Sequence, residues 1–201
     1  MAFTNLQLEK NSDKIYGLVQ CRGDFSSEDC ENCTKEAIKV ALNNYTNSRS
    51  VALWYTPCFL RYSNETFFGT WEGSSMAISN DTNLEDSAVV PKGLTFMGSL
   101  ALMAPKQPLM FQVGVAIHLY LSCIGSGCGK SWEEVLMAQC TRDLSEEHCR
   151  KCLDDGLRME IYKLGCHVRY HDFQFYFSFS SPRHHQMSPE KSSAIRIKGH
   201  Q

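Results

Sequence analysis

The sequence predicts an α+β protein built from one cysteine-stapled unit used twice, and three observations carry that prediction. Two cysteine clusters share the spacing C-x8-C-x2-C, at Cys21, Cys30 and Cys33 and again 119 residues later at Cys140, Cys149 and Cys152. The surrounding frame repeats, Gln20-Cys21-Arg22-Gly23-Asp24-Phe25-Ser26 against Gln139-Cys140-Thr141-Arg142-Asp143-Leu144-Ser145. Finally, 201 residues with 43% apolar content leave room for two small globular domains of about 100 residues each.

The elements follow in order. Lys14 to Gln20 reads as a strand that delivers Cys21. Ser26 fits an N-cap, with Glu28 and Asp29 complementing the dipole of a helix that runs to about Leu42. Cys30, Cys33, Ala37, Val40 and Ala41 share one face of that helix and point toward strands. Val51–Tyr55 and Cys58–Tyr62 read as strands broken by Thr56-Pro57, and Phe67-Phe68 as the start of another. The Ser-, Asn- and Asp-rich run from Ser74 reads as a linker, and Pro91 to Pro105 as a helix. In the second half Ser145 takes the place of Ser26, capping a helix through Cys149 and Cys152. Phe173, Phe175, Phe177 and Phe179 alternate as in a strand whose aromatic face packs into a core. The expected layout is domain one over 1–73, linker over 74–83, domain two over 84–181, and a disordered polar tail over 182–201.

Charge narrows the function. Twenty basic and 22 acidic residues leave a net charge of -2, without the basic stripe that nucleic acid requires. Ten cysteines fit an oxidising compartment. Sequons at Asn44, Asn64 and Asn80 fit glycosylated loops, while the one at Asn32 lies inside the cysteine cluster and is discounted. The start of the chain shows no charged region followed by an apolar run, so an extracellular reading assumes a signal peptide missing from this chain. No stretch reads as a transmembrane segment; Phe111 to Ile124 is apolar but short, and Gln112 and His118 interrupt it.

The frame Tyr16-x-x-x-Gln20-Cys21-x8-Cys30-x2-Cys33, followed by Cys58-Phe59-Leu60-Arg61-Tyr62, resembles the plant ginkbilobin-homologous domain, also called the salt-stress response/antifungal domain. Two tandem copies, over roughly 14–72 and 84–180, resemble cysteine-rich repeat secretory proteins, plasmodesmata-located proteins and the ectodomains of cysteine-rich receptor-like kinases. The resemblance implies an antiparallel sheet packed by helices in each domain. It also implies four bridges here, Cys21–Cys30, Cys33–Cys58, Cys140–Cys149 and Cys152–Cys166. By loop entropy each contributes about 3 kcal/mol, Cys33–Cys58 slightly more. The family's remaining bridge is absent, its later positions falling near Tyr45 and Leu164. Cys152 and Cys166 are 14 positions apart against 25 for Cys33 and Cys58, which predicts that repeat two loses helix and strand from its middle. Cys123 and Cys128 have no counterpart in the family frame. An antifungal member resembles a mannose-binding lectin using Asn, Arg and Glu. The Arg and Glu positions correspond here to Ala52 and Ser63, and to Glu160 and His171, so neither copy keeps the polar set.

Parts of the sequence fit other chemistries. Cys30-x2-Cys33 and Cys149-x2-Cys152 have the spacing of zinc or redox pairs, but their inserts lie on predicted helices, and Cys21 and Cys58 would go unexplained. Gly125-Ser126-Gly127-Cys128-Gly129-Lys130-Ser131, before Trp132-Glu133-Glu134, has the look of a strand, loop and helix cradling phosphate, yet Ile124 stands where that pattern needs glycine. No nucleophile, paired-carboxylate or G-x-S-x-G arrangement stands out, and His184-His185 fall in the polar tail. The expectation is a non-catalytic, cofactor-free extracellular binding or signalling module of plant stress or defence. Its partners would be a cell-wall glycan or a receptor ectodomain, with self- or hetero-association through an exposed sheet. The alternative is an intracellular zinc- or nucleotide-binding protein using the C-x2-C pairs or the glycine-rich loop.

Overall fold

A computed structural model describes residues 3–10, 13–71, 73, 75–77, 89–120, 130–155, 160–171 and 174–176. They divide into two units, up to Thr70 and from Trp71 to Tyr176. In the first, β1 (Phe3–Lys10), β2 (Asp13–Cys21), β3 (Ser50–Trp54) and β4 (Cys58–Ser63) form an antiparallel sheet in the order β1-β2-β4-β3. The helix α1 (Ser27–Asn44) packs on β3 and β4. Ser26 is its cap: the hydroxyl accepts the Asp29 N–H at 3.1 Å and donates to the Asp29 carboxylate. At the other end Tyr45 N–H donates to Ala41 O at 3.1 Å, and the Tyr62 hydroxyl donates to Tyr45 O at 3.0 Å, so β4 pins the end of the helix. Cys30, Ala37 and Ala41 are buried against Val51, Leu53, Cys58 and Leu60. Small residues on the helix let it lie close to branched and long residues on the strands.

The second unit runs β5 (Ser75–Ala77), α2 (Val89–Met103), a 3-10 turn (Ala104–Lys106), β6 (Phe111–Tyr120), β7 (Lys130–Cys140), α3 (Glu146–Asp154), β8 (Glu160–Lys163) and β9 (Cys166–His171). Its antiparallel sheet has the order β5-β8-β9-β7-β6. Helix α3 packs on β9 and β7, and α2 on β6 and β7. Met97, Leu100, Ala101 and Ala104 join Leu136, Ala138, Leu153 and Val168 in one core. Gly114 makes α2's approach possible, because a Cβ there would stand 2.7 Å from both Leu100 Cδ1 and Phe96 Cζ. Ser145 caps α3 as Ser26 caps α1, its hydroxyl accepting the His148 N–H at 3.2 Å.

The fold class is as the sequence predicts, an antiparallel sheet with helices in each unit. Several local expectations change. The stretch expected to be a linker contains β5, a strand of the second sheet, because the start of Ser75-Met76-Ala77-Ile78-Ser79 can pair with β8 despite its polar setting. Phe67-Phe68 begins no strand; the chain turns there and Phe67 is buried. Gln174–Tyr176 lies outside any strand, with Phe175 packed on Phe111, Val135 and Met137; Phe173, Phe177 and Phe179 lie outside the described residues, as does the tail.

Repeat two keeps its middle strand, contrary to expectation. Helix α3 has 9 residues against 18 in α1, β8 has 4 against 5, and the turn before the last cysteine has two residues (164–165) against three (55–57). These differences account for the eleven missing positions, and the helix supplies nine of them. A strand inside a sheet is tied by hydrogen bonds on both sides, whereas a helix shortens one turn at a time from a free end.

Candidate functional site

The cysteines are arranged by the two helices. Cys30 and Cys33 sit three apart on α1, and their sulfurs go to different strands: Cys21 at the end of β2 and Cys58 at the start of β4, with Cα–Cα distances of 5.7 and 6.1 Å. Cys149 and Cys152 do the same in α3, bonding Cys140 and Cys166 at 5.6 and 6.0 Å. Because Cys21 pairs with Cys58 and Cys140 with Cys166 across the sheets, each pair of bridges clamps one helix to adjacent strand ends. All four C-x2-C thiols are thereby consumed, which leaves neither a thiolate for zinc nor a dithiol between neighbours. Among the described residues no group of three or more His, Cys, Asp or Glu is placed to hold a metal. Cys123 and Cys128 lie outside them.

The phosphate-loop alternative fails on local structure. Residues 125–129 are outside the described set, but Lys130 to Cys140 is strand β7, where the pattern needs a helix whose N-terminal amides face the phosphate. Residues 134–140 of β7 are buried, Glu134, Leu136 and Ala138 alternating with Val135 and Met137 as in a strand covered on two sides, where the sequence pattern predicts the start of a helix.

The lectin positions are no better suited to sugar. Ala52 is buried in β3 opposite Arg61, and the buried Ser63 accepts the Glu65 N–H at 3.1 Å. In repeat two Glu160 opposes Arg169 on β8, and the half-buried His171 meets the Phe175 ring edge at 5.4 Å. The Arg of each C-x-x-R-Y element is structural: Arg61 lies 4.0 Å over the Phe67 ring and Arg169 lies 4.9 Å over Phe175, with both guanidinium groups buried. Two residues earlier, aromatic stacking repeats as well, Trp54 on Phe59 at 3.9 Å and Tyr162 on His167 at 4.2 Å. Sequence reading missed both features; the Phe eight residues after Phe59 and eight after His167 was their available signal.

Other polar groups also serve the fold. Arg22 grips the Asp24 carboxylate through Nε at 2.7 Å and Nη2 at 2.9 Å and lies 4.5 Å over the Phe25 ring, all beside the first bridge. Lys163, nearly inaccessible, donates to Asp155 Oδ2 at 2.8 Å at the end of α3. Burial pushes the Tyr62 phenol above its ordinary range, with Tyr45 adding to the shift. On the exposed helix faces, hydrogen bonding to Lys35 holds the Glu31 carboxyl below the usual range, as Lys151 does for Glu147. Asn44, at the last turn of α1, and Asn64, after β4, are exposed; Asn80 is outside the described residues. No described helix is long and apolar enough to cross a membrane.

Two repeated α+β units, each with a helix clamped to strand ends by paired disulfides, define a tandem cysteine-rich module. The salt stress response/antifungal family profile matches residues 1–65. The antimicrobial ginkbilobin-2-like protein of Castanea crenata is 31% identical over 179 residues, covering 83% of this chain and 70% of that protein. Cysteine-rich repeat secretory protein 55 of Arabidopsis thaliana is 31% identical over 182 residues, 83% of this chain and 66% of that protein. Cysteine-rich receptor-like protein kinase 4 of the same plant is 28% identical over 183 residues, of which the chain spans 25% of the kinase's length. The tandem DUF26 ectodomain of the Arabidopsis thaliana cysteine-rich receptor-like protein PDLP8 has the same fold, with a TM-score of 0.66 at 23% identity, over 85% of this chain and 80% of that one. The chain belongs to the ginkbilobin-like salt stress response/antifungal family.

Proposed function

We propose that this chain is a non-catalytic extracellular binding module, acting in plant stress or defence through protein–protein contact with a receptor ectodomain. The observation that carries the reading is the pair of disulfides in each unit, which tie a short helix to strand ends and require an oxidising compartment to form. A cell-wall glycan is the less favoured partner, because the positions that would hydrogen-bond a sugar hold a buried Ala52 and a Ser63 already bonded to the backbone. Glycans on Asn44 and Asn64 fit the same compartment, since both side chains are exposed. Asn80 is the third proposed acceptor.

The test is secretion of the chain behind an added signal peptide, followed by a non-reducing peptide map and intact mass before and after glycosidase. The expected result is the four bridges, with deglycosylation masses at Asn44 and Asn64. Free thiols with bound metal in the native protein would overturn the reading.

A further inference from the structure

The Asn32-Cys33-Thr34 sequon lies inside the cysteine cluster, yet the fold separates its acceptor from the bridge. Asn32 is exposed, whereas the half-buried Cys33 turns inward to Cys58. At about 100° per residue, α1 carries Asn32 about 180° round from the buried Ala41. Its neighbours on that face, Glu28, Lys35 and Glu36, are exposed as well. A sugar on Asn32 Nδ2 therefore projects away from the sheet and from the Cys33–Cys58 bridge.

Folding closes this sequon. In the native chain it is helical, and the Thr34 hydroxyl donates to Cys30 O at 2.8 Å. An enzyme that recognises Asn-x-Thr in an accessible, loop-like segment can use it only before α1 settles on the strands. The order of the cysteines leaves that interval open. Cys30 pairs backward with Cys21, but Cys33 pairs forward with Cys58, 25 positions later. At roughly 5–20 residues per second, that wait lasts about 1–5 s. Until it ends, α1 lacks both β3 and β4, and a helix draws most of its stability from such packing.

We propose that Asn32 is a co-translational N-glycosylation site, its substrate a lipid-pyrophosphate-linked oligosaccharide. Asn32 Nδ2 attacks C1 of the terminal N-acetylhexosamine. The C1–N bond forms as the C1–O bond to pyrophosphate breaks. The lipid pyrophosphate leaves with the bonding electron pair, and one amide proton passes to a base of the transferase. The glycan then shields the outer face of α1, so a partner protein contacts unit one elsewhere. In α3 Lys151 holds the place of Asn32 and Leu153 that of Thr34, so the second unit keeps the matching helix face free of sugar.

The proposal rests on reading the chain as an extracellular module. Its test is secretion of the full chain from eukaryotic cells behind an added signal peptide. Enzymatic deglycosylation in heavy-oxygen water, then non-reducing peptide mapping, locates the sugars. The expected result is the heavy-oxygen label at Asn32 in molecules that keep the Cys33–Cys58 bridge. Thr34→Val, of the same shape, should abolish that label, and Asn32→Gln should remove one glycan from the intact mass. Both variants should keep all four bridges.

Sugar at Asn44 and Asn64 with none at Asn32 would overturn this proposal alone. Label at Asn32 only in molecules without the Cys33–Cys58 bridge would also overturn it, since the sugar would then mark misfolded chain. Sugar-free, fully bridged protein offered the transferase and its lipid-linked donor should stay unmodified at Asn32, and transfer to that form would refute the co-translational step. Free thiols with sugar at none of the three positions would defeat the extracellular reading itself.

Discussion

Removing the longer bridge from each unit in turn should leave the first only marginally folded and spare the second. The Cys33–Cys58 bridge spans 25 positions and Cys152–Cys166 spans 14. Loop entropy assigns them about 3.5 and about 3.0 kcal/mol, so the bridges alone predict nearly equal losses. The cores are unequal. Met97 and Leu100 of α2 are buried in the second unit, and side chains of that size contribute about 1.5–3 kcal/mol each. Among the described residues the first unit has no helix in that place, and Leu6 and Ile15 are exposed. A small domain holds only about 5 kcal/mol at the low end of ordinary stability, and the loss of about 3.5 takes most of it. The assay is limited proteolysis with peptide mapping, alongside urea melts of Cys33→Ala/Cys58→Ala and Cys152→Ala/Cys166→Ala. Cleavage confined to 13–70 is expected in the first variant, and a native-like pattern with a lowered midpoint in the second. The reverse order of sensitivity would refute the argument that α2 makes the difference.

Other outcomes follow from single contacts. Gly114→Ala should cost about 1–3 kcal/mol in chemical denaturation, because its methyl meets Leu100 and Phe96, whereas Gly17→Ala should be neutral or slightly stabilising. Ser145→Ala should cost about 1 kcal/mol, and should be felt more than Ser26→Ala because α3 has half the turns over which to recover. Asp24→Ala leaves a buried guanidinium without its carboxylate and should lower stability by about 3–5 kcal/mol, more than Asp24→Asn. Glu31 and Glu147 have lowered folded-state pKa values, so the support they give is present above the ordinary Glu pKa and fades as pH falls through the folded values. The thermal midpoint should drop slightly more between pH 6 and pH 3 in the parent than in Lys35→Met/Lys151→Met, read by circular dichroism.

What the sequence made legible was whatever depends on periodicity and short-range chemistry. Ser26 and Ser145 announce their helices because an N-cap acts within one turn, and Cys30, Ala37 and Ala41 announce a buried face because the spacing is helical. Strand β1 was equally available in the alternation of Leu6 and Leu8 with Gln7 and Glu9, but its flanks carry no turn signal strong enough to bound it. Strand β7 misled for the opposite reason: over 134–140 both its faces are covered, so it lacks the polar alternation of a one-sided strand. Strand β5 depends on β8, more than 80 residues later, and no local pattern encodes such a partner. The Arg–Phe contacts left only the matched spacing of Phe67 and Phe175 as a trace, since each ring comes from outside the strands on a path that only the folded chain defines.

Leu6 opposes Gly17 in unit one and Gly114 opposes Leu136 in unit two. This exchange of leucine and glycine across one strand pair explains how one frame yields two kinds of surface. A glycine opposite a large residue makes a pit, and a pit on a sheet is stable in water only if something apolar fills it or the neighbours tolerate wetting. In unit two the pit over Gly114 is filled from the same chain, and the shortened α3 leaves α2 room to reach Leu153. In unit one α1 is twice as long, and its extra turns carry the exposed Ile38 and Leu42. If those turns served only to cap the sheet they would gain nothing from two exposed apolar residues one turn apart, where lysine or glutamate would raise both helix propensity and solubility. Replacing the pair by Ile38→Lys/Leu42→Glu should therefore leave the midpoint of urea unfolding unchanged or higher. A variant that loses stability instead would show that the two side chains belong to the core of unit one.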